Sequence, residues 1–309
     1  MPKASPGDPA PAVERILLVD ASSLIFRAYY ALPEITGRGG RPVHGVLGFL
    51  NMLFRLLDDL QPGYLTVCYD GGMSRREEAY PLYKANRGEA PADLLEQFLR
   101  VGEVLHALHI YTLFVPGVEA DDLLATAARQ AEEVGLAPRV VTGDKDLLQV
   151  VSPRSRVLFT RRGVTDLEAV TPESFHDRYH LEPGQFPDFK GLIGDKSDNL
   201  PGVRGIGEST AIQLLRQFGS LDAAVAGAAT VAGRLGQNLR EQAEQALLTR
   251  RLATLDRYVD LSIDLGAARF TYGRLDPAGV ALLYELGLRA LAGRLEKKGT
   301  VLPAGKERD

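Results

Sequence analysis

The sequence predicts an α/β protein, a parallel sheet flanked by helices, with a smaller all-helical region after it. Short apolar runs of strand length alternate with segments of helical periodicity as far as about residue 160, the order that parallel sheets with right-handed crossovers require. Several of those runs lead directly into acids. Beyond about residue 180 no strand-like run recurs, and the chain reads as Ala- and Leu-rich helices punctuated by Gly.

Arg15 to Asp20 is a continuous apolar run closed by an acid, the pattern of a strand buried on both faces. Val43 to Leu60 spaces Val46, Leu47, Leu50, Leu53, Phe54 and Leu57 helically, and Pro62-Gly63 stops that helix. Tyr64 to Tyr69 predicts a second strand, followed by Asp70. Leu94 to Leu108 predicts a helix, and Tyr111 to Val115 a third strand. Val118-Glu119-Ala120-Asp121-Asp122 then opens a helix running to Val134. Acids suit a helix start, where backbone N–H groups are unpaired and the dipole is positive, but capping does not need three of them together. Arg139 to Thr142 predicts a fourth strand, closed by Gly143-Asp144-Lys145-Asp146, and Arg156 to Phe159 a fifth. The expected organisation is a disordered Pro/Ala-rich tail (1–14), the α/β core (15–180), a helical region (181–296) and a frayed polar tail (297–309).

Composition narrows the class. One cysteine, Cys68, excludes an internal disulfide and any cysteine-based zinc site, and the five histidines lack zinc-ligand spacing. No window approaches 18 consecutive apolar residues, and the N-terminus lacks a signal-peptide core, so a cytoplasmic location away from membranes is expected; a monomer is expected as well.

In open parallel sheets, ligands sit outside the carboxyl ends of the strands. Asp20, Asp70, Glu119, Asp121, Asp122, Asp144 and Asp146 all fall at that edge, where they repel unless cations neutralise them. Any one of them alone reads as a helix cap or turn residue; the set does not. Oxygen-only ligands select hard cations such as Mg²⁺ or Mn²⁺, and so many acids exceed what one such ion takes. Two ions roughly 4 Å apart clamp the attacking and leaving oxygens of a phosphodiester and lower the pKa of water.

Two further stretches point to nucleic acid. Pro201-Gly202-Val203-Arg204-Gly205-Ile206-Gly207, followed by Thr210-Ala211 and Leu214-Leu215, is a helix-hairpin-helix signature. Its glycines permit a tight turn and let the N–H groups of the next helix approach a phosphate, without reading bases. Asp70 to Pro91 is too polar and basic for a core, and Arg75, Arg76, Tyr83, Lys84 and Arg87 suit a phosphate backbone and a stacked base. The competing reading of that stretch is a solvated charged loop. Four of the eight lysines, Lys84, Lys145, Lys190 and Lys196, lie in or beside these motifs, which favours the nucleic-acid reading.

Asp20 after its strand, Tyr83-Lys84-x-x-Arg87, Val118-Glu119-Ala120-Asp121-Asp122, Thr142-Gly143-Asp144-Lys145-Asp146 and the run Gly194-Asp195-Lys196-Ser197-Asp198-Asn199-Leu200 leading into the glycine motif together resemble the 5′-nuclease domain of bacterial DNA polymerase I and the related flap endonucleases. The likeness runs from about Arg15 to Leu295. It implies a PIN-like core, a helical arch at about 71–92, a helix–three-turn–helix module on duplex DNA, and dependence on divalent metal.

By that resemblance Asp20, Asp70, Glu119 and Asp121 hold the ion nearer the nucleophile. Asp144, Asp146, Asp195 and Asp198 hold the other, some through water, and Asp122 reaches a metal less directly. Lys84, Arg87 and Arg76 match catalytic arch positions. Tyr83, Lys196, Gly202, Arg204, Gly205, Gly207, Ser209 and Thr210 fall on the DNA-binding side, with a K⁺ ion at the hairpin turn served by Ser209 or Thr210. The implied activity is a structure-selective 5′-3′ exonuclease and 5′-flap endonuclease, leaving 5′-phosphate and 3′-hydroxyl ends in replication and repair. Its implied partners are DNA with 5′ ends, nicks or flaps, and a polymerase or sliding clamp.

One departure is Arg75-Arg76 where the family commonly has Phe-Arg, in a loop one residue shorter. With no polymerase region in the sequence, a stand-alone nuclease or an excised domain is expected. The rivals are a non-catalytic junction binder, which predicts missing carboxylates, and a PIN-type ribonuclease, which would not need the hairpin module. The net charge of −4 fits the resemblance once apportioned: setting aside the nine proposed site acids leaves +5 on the rest of the chain.

Overall fold

The computed structural model describes residues 14–160 and 166–300. In the first half the chain runs β1 (Arg15–Asp20), α1 (Ala21–Ala31), α2 (His44–Leu60), β2 (Tyr64–Cys68), α3 (Arg75–Ala79), α4 (Ala92–Ala107), β3 (Thr112–Leu113), α5 (Ala120–Glu133), β4 (Ala137–Thr142) and β5 (Arg156–Thr160). It continues through β6 (Leu167–Val170), α6 (Pro172–Tyr179), α7 (Phe186–Ile193), β7 (Gly194–Asp195), β8 (Leu200–Pro201), α8 (Glu208–Phe218), α9 (Leu221–Ala226), α10 (Gly233–Glu241) and α11 (Ala243–Ala253). It closes with α12 (Leu265–Ala268), α13 (Pro277–Glu285) and α14 (Arg289–Thr300).

The main sheet has the order β3-β2-β1-β4-β5-β6. Its first five strands are parallel, as the sequence predicts, and β6 adds an antiparallel edge that no sequence signal announced. The strands alternate faces residue by residue. Leu17 and Val19 pack into the cluster with α1, α2, α4, α13 and α14, whereas Ile16 and Leu18 pack with α5 and the later helices. Both faces are covered, which is why the strands read as continuous apolar runs. From β1 the chain builds outward to β2 and β3, then returns to place β4 on the other side of β1. That reversal opens a crevice at the carboxyl ends of β1 and β4.

Three expectations are adjusted. The third strand is only two residues long. The helical arch expected at about 71–92 is the five-residue α3 followed by turns over 81–87. Residues 297–300, expected in a frayed tail, instead belong to α14, which continues to Thr300, and Lys298 pairs with Asp58. The remainder of that tail, and residues 1–13 of the expected N-terminal one, lie outside the described residues.

The helical region contains a short hairpin, β7–β8, whose glycines touch. A Cβ on Gly202 would lie 2.2 Å from the carbonyl carbon of Ile193 and 2.5 Å from the Gly194 nitrogen. Gly194 itself sits at φ +78°, a region open chiefly to glycine. Gly202→Ala is therefore expected to cost about 2 kcal/mol or more, read as a lowered denaturant midpoint, because backbone cannot step aside as a side chain can.

Candidate active site

Four carboxylates meet at the crevice. Asp20 ends β1 and caps α1, accepting the Ser23 N–H at 2.9 Å and the Thr142 hydroxyl at 2.7 Å. Asp70, two residues past β2, accepts the N–H of Ala120, the first residue of α5, at 2.9 Å. Asp144 caps the turn after β4, accepting the Asp146 N–H at 2.8 Å. Asp121 enters from the first turn of α5. All four line one open cleft of about 900 Å³ together with Lys84, Arg87 and the α1 residues Phe26, Arg27 and Tyr30.

These acids strain against one another. Burial pushes the Asp20 carboxyl up to about 7; the Thr142 and Ser23 hydrogen bonds pull it back, while the charges of Asp70 and Asp144 add to the rise. Asp121 is driven well above the usual carboxylate range by burial and by Asp144, Asp20 and Asp70. Carboxylates raised in this way await cations. The donor set is all oxygen, and a second sign lies beside it: one oxygen of Glu119, Oε1, is buried with no hydrogen-bond partner. Hard divalent ions fit such a set.

A second acidic group lies next to the first. Asp146, Asp195 and Asp198 bring carboxylate oxygens within 4.8 Å of one another. Here the protein supplies cations of its own. The buried ammonium of Lys190 pairs with both Asp146 and Asp195, and Arg87 pairs with Asp198 at 2.6 Å. Burial would raise Asp195, but the Lys190 charge and hydrogen bonds from Lys190 and Ser197 hold it at about 2. Asp198 is raised, because burial and the charges of Asp144 and Asp195 outweigh Lys84 and Arg87.

The segment that was expected to arch over the cleft is fastened down on the β7–β8 hairpin. Lys84 sits at φ +56°, a left-handed conformation uncommon for a long side chain, with its N–H on the Asp198 carbonyl at 2.9 Å. Asn86 donates to the Lys196 carbonyl and Asn199 to that of Leu82, closing the same contact from both sides. Lys84 Nζ then reaches Glu119 at 2.8 Å. Burial pulls the Lys84 pKa down, but Glu119 and Asp198 more than offset it and leave the ammonium firmly charged. Burial likewise disfavours the Glu119 anion, and Lys84 and Arg76 overcome that.

At the hairpin turn, Arg204, Gly205, Gly207 and Ser209 are exposed, and nothing stands within 4 Å of where a Gly207 Cβ would be. Gly205 adopts φ +83°, completing the turn before α8. Thr210 is half-buried in the first turn of α8, and Lys196 is exposed on the hairpin. The turn is held from behind, because Gln245 donates to the Gly202 carbonyl and Asn238 to that of Arg204.

The residues anticipated from sequence are thus not all in one place. Asp20, Asp70, Asp121, Asp144, Lys84 and Arg87 share the cleft. Asp146, Asp195 and Asp198 form the Lys190-bridged group. Glu119 stands behind the cleft against Lys84. Three residues differ from expectation. Asp122 was expected to reach a metal, but its carboxylate is taken by the guanidinium of Arg76 at 2.6 and 2.7 Å. Arg76, expected at a catalytic arch position, is occupied by that pair. Tyr83, expected to stack on a base, is buried in a small apolar cluster with Leu200 and Leu252 and donates its hydroxyl to Glu119 at 3.2 Å.

The sequence reading counted Lys190 only among the lysines favouring nucleic acid, whereas it bridges Asp146 and Asp195, and gave no role to Thr142 or Ser23. Lys190 left a legible trace, a lysine on the apolar face of α7 among Phe186, Phe189 and Leu192, which demands a buried counter-charge.

Comparison with known proteins bears on the family and the fold. Residues 15–180 match the 5′-3′ exonuclease N-terminal resolvase-like domain, and residues 181–276 the 5′-3′ exonuclease C-terminal SAM fold. DNA polymerase I of Bacillus caldotenax is 40% identical over 286 residues, 92% of this chain but 32% of its own length. DNA polymerase I of Mycobacterium bovis is 44% identical over 260 residues, 82% of this chain and 29% of its own. The chain thus spans about a third of the length of these relatives. Among solved structures, the bacteriophage T5 flap endonuclease in a pseudo-enzyme-product complex with DNA and metal ions superposes with TM-score 0.66 at 19% identity, covering 93% of this chain and 100% of that one. The T5 5′-exonuclease with bound divalent zinc gives 0.65 at 20%, covering 93% and 98%. The catalytic core of Rad2 with DNA substrate gives 0.57 at 15%, covering 92% and 93%. At such identities these structures speak for a shared fold.

Proposed function

Because this chain belongs to the 5′-3′ exonuclease family, we propose that it is a metal-dependent, structure-selective 5′ nuclease. It hydrolyses DNA at 5′ ends, nicks and 5′ flaps, leaving 5′-phosphate and 3′-hydroxyl termini. The observation that carries this is the convergence of Asp20, Asp70, Asp121 and Asp144 on one cleft that Lys84 and Arg87 also line. Two Mg²⁺ or Mn²⁺ ions bound there would neutralise the phosphate and make hydroxide available near neutral pH. Asp20, Asp70 and Asp121, with the unpartnered oxygen of Glu119 behind them, would hold one ion, and Asp144 the other, with the Asp146/Asp195/Asp198 group, already offset by Lys190 and Arg87, reaching it only through water.

The chain's own residues do the rest. Lys84 and Arg87 present cations to the scissile phosphate from above the acids, which fixes its place in the cleft. Arg204 and the exposed backbone at Gly205 and Gly207 of the hairpin turn grip duplex backbone without reading sequence. A K⁺ ion at that turn, with Ser209 or Thr210 as a ligand, belongs to the same reading. So do a monomeric state, a cytoplasmic location and recruitment by a polymerase or sliding clamp. No helix among the described residues is long and apolar enough to cross a membrane.

The test is a cleavage panel of labelled 5′-flap, nicked, gapped, blunt and single-stranded DNA, and the matching RNA flap, in Mg²⁺ or EDTA. Cutting at the flap junction that EDTA abolishes is expected. Cutting that persists in EDTA, or a preference for RNA, overturns the reading.

A pH dependence follows from Asp20. Its carboxyl is raised from an ordinary 3.8 to about 7, so between those values the folded state holds a proton that the unfolded state has lost. Stability of the metal-free protein therefore falls as pH rises through that window. Metal must displace the proton, so its half-saturating concentration should fall severalfold as pH rises from about 6 to 8. Denaturant midpoints in EDTA at several pH values, beside Mg²⁺ titrations at each, check both signs.

A further inference from the structure

Arg76 and Asp122 leave each other little capacity for any other partner. The Arg76 guanidinium spends Nη1 and one Nη2 donor on Asp122, at 2.6 and 2.7 Å, Nε on the Leu252 carbonyl at 2.8 Å, and Nη2 again on the Thr254 carbonyl at 2.9 Å. That is four of its five N–H donors. Asp122 in turn accepts the Asp256 N–H on Oδ1 at 2.8 Å. The two side chains are 12% and 9% exposed. A carboxylate so occupied is a poor metal ligand, and a guanidinium so occupied cannot also fork a phosphate without breaking the pair.

The contacts reach both functional regions. Leu252 is the penultimate residue of α11, and Thr254 follows the helix end. On the same helix, Thr249 donates to the Pro201 carbonyl and Gln245 to that of Gly202, both at 2.8 Å, holding the hairpin turn. On the other side, Asp122 is the chain neighbour of cleft-lining Asp121, and Arg76 Nη1 stands 3.7 Å from Glu119, the partner of Lys84. Beyond Thr254 the chain lies along α5, where Thr126 and Gln130 bond its backbone at Asp256, Val259, Leu261 and Ile263. One guanidinium therefore joins the base of the Lys84 segment, the first turn of α5 and the helix behind the duplex-gripping turn.

We propose that Arg76 and Asp122 are a positioning pair that ties the placement of Lys84 at the cleft, and of Glu119 behind it, to the seating of duplex on the hairpin turn. The pair touches neither metal nor phosphate. The proposal rests on the nuclease reading above, and adds to it a route by which substrate bound at the turn acts on the cleft.

The test compares wild type, Arg76→Lys, Asp122→Asn and the double variant on one 5′-flap DNA. It reads single-turnover rate in Mg²⁺, DNA affinity in Ca²⁺, half-saturating Mg²⁺ and thermal melting. Each single variant is expected to lose about 100-fold in rate, and the double variant no more than about threefold beyond the worse single, because residues acting as a unit are non-additive. DNA affinity and half-saturating Mg²⁺ should stay within about threefold of wild type, since neither ligand is touched.

Asp122→Asn raising the Mg²⁺ requirement tenfold would make Asp122 a metal ligand and overturn the proposal. Arg76→Lys weakening DNA while Asp122→Asn is silent would make Arg76 a phosphate contact, and also overturn it. Lower melting temperatures with wild-type rates well below melting would reduce the pair to a strut. Should a buried variant not fold, half-buried Gln245→Leu interrupts the same route: a rate loss at unchanged affinity supports the proposal, and an unchanged rate sinks it. Wild type cutting no DNA at all would sink the nuclease reading instead, a result distinguishable from all of these.

Discussion

Asp121→Asn is expected to lower cleavage at saturating Mg²⁺ by about 10³-fold, roughly 4 kcal/mol of transition-state stabilisation, while making the metal-free protein more stable. The two effects have one cause. Asp121 is held well above the usual carboxylate range by burial and by three neighbouring acids, so its ionisation costs folding free energy that only a bound cation returns. An amide of nearly the same shape removes that cost together with a ligand. The gain should be about 1–3 kcal/mol in EDTA at pH 8, shrinking as pH falls and the wild-type carboxyl protonates. Chemical denaturation in EDTA at pH 5 and 8, beside single-turnover cleavage, measures both. Lost cleavage with lost stability would show that Asp121 is a structural residue of α5 rather than one placed for metal at the expense of stability.

Lys84→Ala should act in the opposite sense on folding. Its ammonium, 2.8 Å from Glu119, offsets a carboxylate whose side chain is 7% exposed and whose second oxygen already lacks a partner. Truncation leaves that charge with Tyr83 at 3.2 Å and Arg76 at 3.7 Å. A loss of about 2–3 kcal/mol is expected, below the usual range for a broken buried pair because those two contacts remain. Cleavage should fall about 100-fold or more, since a cation beside the scissile phosphate is gone. Adding Glu119→Gln separates the two roles: it should return most of the stability and none of the rate. Recovery of rate in the double variant would mean that Lys84 serves only to hold Glu119.

The strands at Arg15–Asp20, Tyr64–Cys68 and Ala137–Thr142 were legible because burial on both faces writes itself as an unbroken apolar run. The helices at His44–Leu60 and Ala120–Glu133 were legible from their 3.6-residue period. Asp20, Asp70, Asp121 and Asp144 followed from the rule that parallel strands point their carboxyl ends at the ligand. The glycine turn was legible because only glycine tolerates φ near +80°, as at Gly194 and Gly205, or backbone as close as Gly202 to Ile193.

What the sequence by itself determined was therefore the α/β class, the acidic strand ends and the hairpin, each a property of residues near in sequence. The division of labour among the acids was decided only by tertiary structure. Asp121 and Asp122 are adjacent and chemically identical, yet successive residues of a helix point about 100° apart. One faces the cleft, and the other faces Arg76 and the chain beyond α11. Lys190 neutralises Asp146 across 44 positions of sequence, and Arg76 reaches carbonyls more than 170 positions away. Which carboxylate is left for metal depends on which has already been given a cation by the fold. That is a balance of burial and charge between distant segments, and no local pattern records it.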